Sequence, residues 1–382
     1  MSAGPRVLVV HNRYRIEGGE ERSVDLQLRA MEAAGIEHAV FERRSGDASK
    51  AQAARALLRG GERPEELAEA VSASGATVVH AHNTVPLIGP AGLAAARAAG
   101  AAVVLHLHNV RIFCATGFGE RDGAPCQRCR GRNTLPGLAL NCRRSLPEAA
   151  AYAVALHRHQ PLLFDSVDRF VAPSAAARDQ LAARGLPFER VDVLRHYLPA
   201  EAFAEQSWAG DGGYALVASR LSPEKGIGDA VTACARAGAP LRIAGEGPER
   251  ARLERLAAET GAGVTFLGRL PAAEVQAQLA GAAMVLMPSR YHEFSPFSAL
   301  EAMAQGVPVV ATAMGGLPEL LGDGACMPPG DVDAFARRVE ELWADPIERE
   351  REGSAVLTRS RARHGQERYA ADLVALYESV AA

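Results

Sequence analysis

Short apolar runs alternate with amphipathic stretches along the chain. Arg6–Val10, Ile36–Phe41, Thr77–His80, Ala102–Leu107, Arg169–Ala172 and Val191–Leu194 are short and largely Val, Ala and Leu, as in strands buried on both faces. Val24, Leu28 and Met31 share one face of a helix predicted over Glu20–Ala34, and further helices fall between most of the strands. Alternation of this kind predicts a parallel, doubly wound sheet. Pro199–Gly213, with Trp208, Gly210, Gly212 and Gly213, has no periodicity and reads as a linker.

The pattern then restarts with strand Tyr214–Ser219, helix Asp229–Ala237, strand Leu241–Ala244, helix Glu249–Glu259, strand Val264–Leu267 and helix Ala272–Ala280. Strand Met284–Met287 follows, then a helix with Ser295 as N-cap, Pro296 at its first position and Gly306 as its stop, then strand Val307–Val310. Tyr369, Leu373, Leu376, Tyr377 and Val380 make one face of a last helix, which packs either on the first half or within the second. The expected organisation is an α/β domain over 1–200 with a Cys-rich loop at about 109–145, a linker at 201–213, a second α/β domain over 214–365 and a C-terminal helix over 366–382. Two doubly wound sheets imply a central cleft between their carboxyl ends, where open parallel sheets bind ligands.

Bulk properties narrow the function. A chain of 382 residues exceeds one hydrophobic core. A net charge of −3 argues against general nucleic-acid binding, which needs a concentrated basic face. With no apolar run of about 18 residues and no apolar signal core at Met-Ser-Ala-Gly-Pro-Arg, a cytoplasmic location is expected.

The candidate chemistry centres on Glu293-Phe-Ser-Pro-Phe-Ser-Ala-Leu-Glu301. One carboxylate sits in the loop beyond a strand and the other within the helix, with the helix's free N–H groups between them as an anion site. That layout suits a phosphate flanked by hydroxyl-rich groups, as in a nucleotide sugar. Arg220 and Lys225 follow the first strand of the second half and supply cations for a diphosphate leaving group without a metal. Gly245-Glu246-Gly247-Pro248 follows another strand but lacks the third glycine of a dinucleotide fingerprint, which disfavours a nicotinamide enzyme. At Gly18-Gly19-Glu20 the missing Cβ atoms allow close approach to phosphate; an ordinary turn reads equally well. His11, His80, His82, His106 and His108 gather at strand ends, and His108 is the favoured contact for the sugar or acceptor. Cys114, Cys126, Cys129 and Cys142 fit a closed structural zinc site, with reduced thiols or a single disulfide as alternatives. Cys234 and Cys326 read as core residues.

Together these pieces resemble the family 4 retaining glycosyltransferases of GT-B architecture. The motifs are Gly18-Gly19-Glu20-Glu21-Arg22, Ser219-Arg-Leu-Ser-Pro-Glu-Lys-Gly226, Ile243-Ala-Gly-Glu-Gly-Pro248, Phe266-Leu-Gly268 and Glu293–Glu301 followed by Ala302–Thr312. Val78–Arg144 resembles a bacterial subgroup that often builds surface polysaccharides. The resemblance implies that Glu301 binds the donor ribose, Glu293 faces the transferred sugar, and Arg220 with Lys225 holds the diphosphate. It also implies that backbone around Phe294, Ser295, Pro296 and Phe297 contacts sugar or phosphate, that Leu267 lies beside the base, and that His108 sits near the reacting sugar. No catalytic cofactor is implied. The implied partners are a UDP- or GDP-sugar and a glycan or lipid-linked acceptor; for a lipid-linked one, peripheral membrane contact stays open. Lys50–Val71 offers Arg55, Leu57, Leu58, Arg59 and Leu67 for such contact, or reads as a plain surface helix pair. Where the family usually has Glu-Gly-Phe-Gly, this chain has Glu-Phe-Ser-Pro, so backbone contacts and sugar preference differ there. A nucleotide-sugar 2-epimerase and a non-catalytic nucleotide-sugar-binding protein are the alternatives.

Overall fold

The structure is a computed structural model that describes residues 4–15, 18–322 and 324–381. The chain divides into two units: Met1–Gly119, Cys126–His196 and Glu367–Ala382 form the first, and Glu120–Pro125 with Tyr197–Gln366 form the second.

In unit one, strands β1 (Val7–Arg13), β2 (His38–Arg44, a partly exposed edge strand), β3 (Val78–Ala81) and β4 (Ala102–His106) pair in parallel. A two-stranded hairpin, β5 (Glu120–Arg121) and β6 (Ala124–Pro125), interrupts the sequence and clusters with unit two. β7 (Arg169–Ala172) and β8 (Val191–Val193) complete the first sheet in the order β2-β1-β3-β4-β7-β8. Its connections are helices α1 (Gly19–Ala33), α2 (Lys50–Arg59), α3 (Pro64–Ser74), α4 (Gly89–Ala98), α5 (Leu135–Ala139), α6 (Leu146–Ser166) and α7 (Ala175–Ala182). Lys50–Val71 is indeed two helices, broken where Gly60 turns left-handed.

Unit two carries β9 (Tyr214–Ala218), β10 (Leu241–Ala244), β11 (Val264–Gly268), β12 (Ala282–Met287), β13 (Val309–Thr312) and β14 (Cys326–Met327), ordered β11-β10-β9-β12-β13-β14. Helices α8 (Ile227–Ala237), α9 (Arg250–Thr260), α10 (Ala272–Ala280), α11 (Phe297–Ala304), α12 (Leu317–Leu321), α13 (Val332–Ala344) and α14 (Pro346–Arg363) surround it. One apolar cluster joins Val231 and Cys234 of α8, Ile243 of β10, Leu286 of β12 and Phe335 of α13. Both sheets are parallel with a reversal of strand order, between β1 and β3 in the first and between β9 and β12 in the second, and open sheets bind ligands beyond the strand ends at such reversals.

Three expectations are corrected. The helix after β12 begins later than its capping pattern suggests: Ser295 is not its N-cap and Pro296 is not its first residue, because Pro296 takes an extended ψ of 126° and α11 starts at Phe297. Strand β13 begins at Val309 rather than Val307, because the Val307 amide still bonds back to Ala302. The segment read as a linker is packed: Ala204 N–H donates to Ala304 O (2.9 Å), and buried Ser207 donates its hydroxyl to Gly306 O (2.7 Å). Helix α15 (Gln366–Ala381) belongs to unit one, burying Tyr369, Leu373, Leu376 and Tyr377. Among the described residues, no helix is long and apolar enough to cross a membrane.

Candidate active site

The reversal point of unit two gathers the predicted cations and one carboxylate. Gly226 is left-handed (φ 64°), and a Cβ there would lie 2.1 Å from Pro288 O, so the turn after β9 lies against the end of β12. That approach places Lys225 Nζ 2.8 Å from Glu293 Oε1 and 3.1 Å from Tyr291 Oη. Ser289 donates its hydroxyl to Glu293 Oε1 (2.7 Å), and Tyr291 donates to Oε2 (2.6 Å). Thr312 of β13 fixes the same loop by donating to Ser289 O (2.6 Å), and Gly316 N–H holds Glu293 O (2.7 Å). Burial pulls the Lys225 ammonium down, but Glu293 and Tyr291 outweigh it and hold its pKa above the ordinary lysine value, so it is charged at neutral pH. Burial and the Glu293 charge push the Tyr291 phenol up, which keeps it a donor. A carboxylate has about four acceptor positions and an ammonium three donors. Among the described residues, three of these bonds end on Glu293 and two start from Lys225, which leaves each one direction for a ligand.

Arg220 stands differently. Its guanidinium bonds to Glu224 and, through Nε, to Ser222 Oγ (3.1 Å), while half of the side chain is exposed. Burial raises the Glu224 carboxyl, but the Ser222 hydroxyl, its own backbone N–H and Arg220 outweigh that and leave it low. Arg220 is thus a cation held on a buried anion. Glu301 lies buried within α11. Phe294 and Phe297 are buried around partly buried Ser295 and Pro296, and Leu267, next to last in β11, is partly buried. Gly245 has φ 151°, and a Cβ there would lie 1.9 Å from Ser219 O; this glycine is demanded by the close passage of two strand ends.

In unit one, Gly18 precedes α1 in extended backbone, and its N–H is taken by Glu21 Oε2 (2.8 Å); Glu21 Oε1 accepts from Tyr14 N–H (2.9 Å). Glu21 therefore orders the Gly18-Gly19 turn. Burial lifts the neighbouring Glu20 carboxyl to about 7, against the pull of His11, Tyr14 and Arg111. His108 Nε2 lies 3.0 Å from His82 Nδ1, and its ring stacks on His106 and His196 at centroid distances of 4.3 and 5.7 Å. Burial, reinforced by the neighbouring imidazoles, pushes His108 well below the usual histidine range, so it is neutral and fit to accept or donate a hydrogen bond.

The four cysteines are drawn to one neighbourhood but not to ligand distance. Burial first, then Cys114, Cys142 and Cys126, raises the Cys129 thiol to about 11. None of the four is in a disulfide, and no three of their sulfurs come within 4.8 Å of one another. A closed tetrahedral zinc site, with Zn–S near 2.3 Å, is not assembled by this geometry. Sequence reasoning missed Ser289, Tyr291, Ser222 and Glu224. A signal existed for two of them: 289, 291 and 293 alternate, so in extended backbone they point to the same side.

Two Rossmann-like sheets, with buried carboxylates and paired cations at the reversal point of the second, define a GT-B fold. The fold of HepE from Anabaena in complex with UDP is similar (17% identity, TM-score 0.67, covering 98% of this chain and 100% of that one), as is sucrose-phosphate synthase from Thermosynechococcus elongatus (18%, TM-score 0.71, 98% of each). Residues 18–196 match the Glycosyl transferase 4-like domain and residues 200–356 match Glycosyl transferases group 1. The two glycosyltransferase models thus match consecutive stretches, one in each α/β half of the chain. It is 37% identical over 150 residues to a GDP-mannose-dependent monoacylated alpha-(1-6)-phosphatidylinositol monomannoside mannosyltransferase of Corynebacterium glutamicum, covering 36% of this chain and 39% of that one. It is 34% identical over 188 residues to 2-deoxystreptamine glucosyltransferase of Streptomyces kanamyceticus, covering 46% and 45%. The chain thus spans less than half the length of both relatives.

Proposed function

We propose that the protein is a retaining glycosyltransferase that moves a sugar from a UDP- or GDP-sugar to a hydroxyl of a glycan or lipid-linked acceptor, in the synthesis of cell-surface polysaccharide or glycoconjugate. The observation that carries this reading is Lys225 held 2.8 Å from buried Glu293 at the reversal point of unit two. Lys225 and Arg220 bind the diphosphate, and Glu301 takes the ribose hydroxyls. Glu293 accepts from a hydroxyl of the transferred sugar, and the loop from Phe294 to Phe297 supports it. Gly18 and Gly19 border the phosphates, Gly245 clears space beside the nucleotide and Leu267 faces the base. As the bond from the anomeric carbon to phosphate oxygen breaks, its electrons pass to the diphosphate, stabilised by both cations and the start of α11. The acceptor oxygen bonds the same face of the sugar and passes its proton to the departing phosphate; His108 holds a sugar or acceptor hydroxyl. Relatives named for GDP-mannose and a similar fold crystallised with UDP support a nucleoside diphosphate donor.

The test is a thermal-shift screen with UDP-, GDP- and ADP-sugars, then product analysis by NMR with a hydroxyl acceptor. One donor at a hundredfold over its Kd should add about 2.7 kcal/mol of stability, and the product should keep the donor's anomeric configuration. Conversion of donor alone to its epimer, or no shift with any of the three, overturns the reading.

A further inference from the structure

Behind His108, unit one holds a packed group of imidazoles that the transfer reaction does not use. His80 lies in β3 and His82 directly after its last residue, with its N–H still bonded to Val10 O of β1, so that the two side chains fall on the same side of the sheet. β4 pairs with β3 so that His80 faces Val104, and the same register two residues on brings His82 level with His106. All three are buried, and each offers a ligand nitrogen within 4.8 Å of the other two. Their hydrogen bonding is lopsided. His80 Nδ1 meets Tyr377 Oη at 2.9 Å, which also accepts from Gln27 Nε2 (3.0 Å), and His82 Nδ1 meets His108 Nε2 at 3.0 Å. Among the described residues, the other ring nitrogens, His80 Nε2 and His82 Nε2, have no hydrogen-bond partner, and neither does either nitrogen of His106. Buried polar atoms are almost always paired, and three imidazoles that each carry an unpartnered nitrogen and each offer a ligand atom within 4.8 Å of the others point to something that satisfies them together.

We propose that His80, His82 and His106 form a buried binding site for a borderline divalent transition-metal ion, Zn²⁺ being the best match. Three neutral imidazoles, two from one strand and one from the next, are an established donor set for this ion. Partners on the opposite nitrogens of His80 and His82 are the outer shell that such ligands require, fixing ring position and leaving Nε2 for the metal. Nitrogens around tetrahedral zinc stand roughly 3.4 Å apart, given bonds of about 2.0–2.1 Å. Coordination therefore draws the set together, and it turns His80 and His82, now 6° from parallel, about their ring bonds. Buried Glu21, 3.7 Å from His11 Nε2, supplies compensating charge; the His11 ring lies 6.2 Å from that of His82. The ion would tie the carboxyl ends of β3 and β4 together and fix the support on which His108 rests.

The experiment uses untagged full-length protein, stripped with a chelator and titrated with Co²⁺. One equivalent should bind and give the visible d–d bands of a four-coordinate nitrogen and oxygen site. His80→Gln and His106→Gln should each abolish those bands, and Tyr377→Phe should weaken binding about tenfold or more. X-ray absorption of the wild-type Zn²⁺ form, which needs no variant to fold, should count three imidazoles. Absence of stoichiometric binding, binding retained by both glutamine variants, fewer than three imidazoles, or a thiolate-to-cobalt charge-transfer band from the cysteines overturns the proposal.

Discussion

Glu293 is held by Lys225, Ser289 and Tyr291, so substitutions around it separate charge from structure. Lys225→Ala should lower kcat about 100-fold by removing a cation from the leaving group. It should also cost about 3 kcal/mol of stability, because it leaves a buried carboxylate uncompensated. Adding Glu293→Gln should restore that stability without restoring turnover, as urea unfolding and steady-state kinetics would show. Glu20 gives a pH signature. Its folded pKa near 7 exceeds the unfolded value of about 4.5, so the folded state binds the proton more tightly, and this contribution to stability fades as pH rises from 4.5 to 7. Glu20→Gln escapes the loss: melting curves at pH 5 and 7.5 should show the variant gaining on wild type at the higher pH. Residue types were legible in the sequence for Lys225, Arg220 and Glu293, because each lies in a loop that follows a strand, and for Glu301, because it lies within the helix that the next loop leads into. Ser222 and Glu224 were not, since a side chain that grips another gripping side chain leaves no periodic trace.

Elements were read from periodicity, which located β7, β10 and α10 to the residue. The start set by proline was missed at α11, where local backbone geometry outranked the capping pattern. The packed stretch before β9 was also illegible, because its order comes from hydrogen bonds to distant carbonyls and not from an apolar face. Gly245 shows how strictly element ends are matched. Gly245→Ala would set a methyl group against Ser219 O in a backbone conformation that alanine avoids. It should cost at least about 2 kcal/mol in urea unfolding and reduce donor binding in the same variant.

For the whole molecule, the two sheets are alike in kind but not in order: the neighbours of β1 are β2 and β3, whereas those of β9 are β10 and β12. The apolar runs revealed two parallel sheets without revealing this difference, since strand order depends on which edge each crossover chooses. Membership of α15 in unit one was one of two packings the spacing allowed, and Tyr377 settles it by reaching His80 and Gln27. Tyr377→Ala should cost about 3–5 kcal/mol, the usual result of emptying an aromatic site. Hydrogen exchange should show lost protection in peptides of unit one, with those of unit two unchanged.

That helix also fixes an order of events during synthesis. Tyr377 is made 297 residues after His80. At about 5–20 residues per second, the ribosome delivers it some 15–60 s later. The half of the chain that emerges first is therefore the half completed last, and a chaperone guarding nascent protein has the most to cover there.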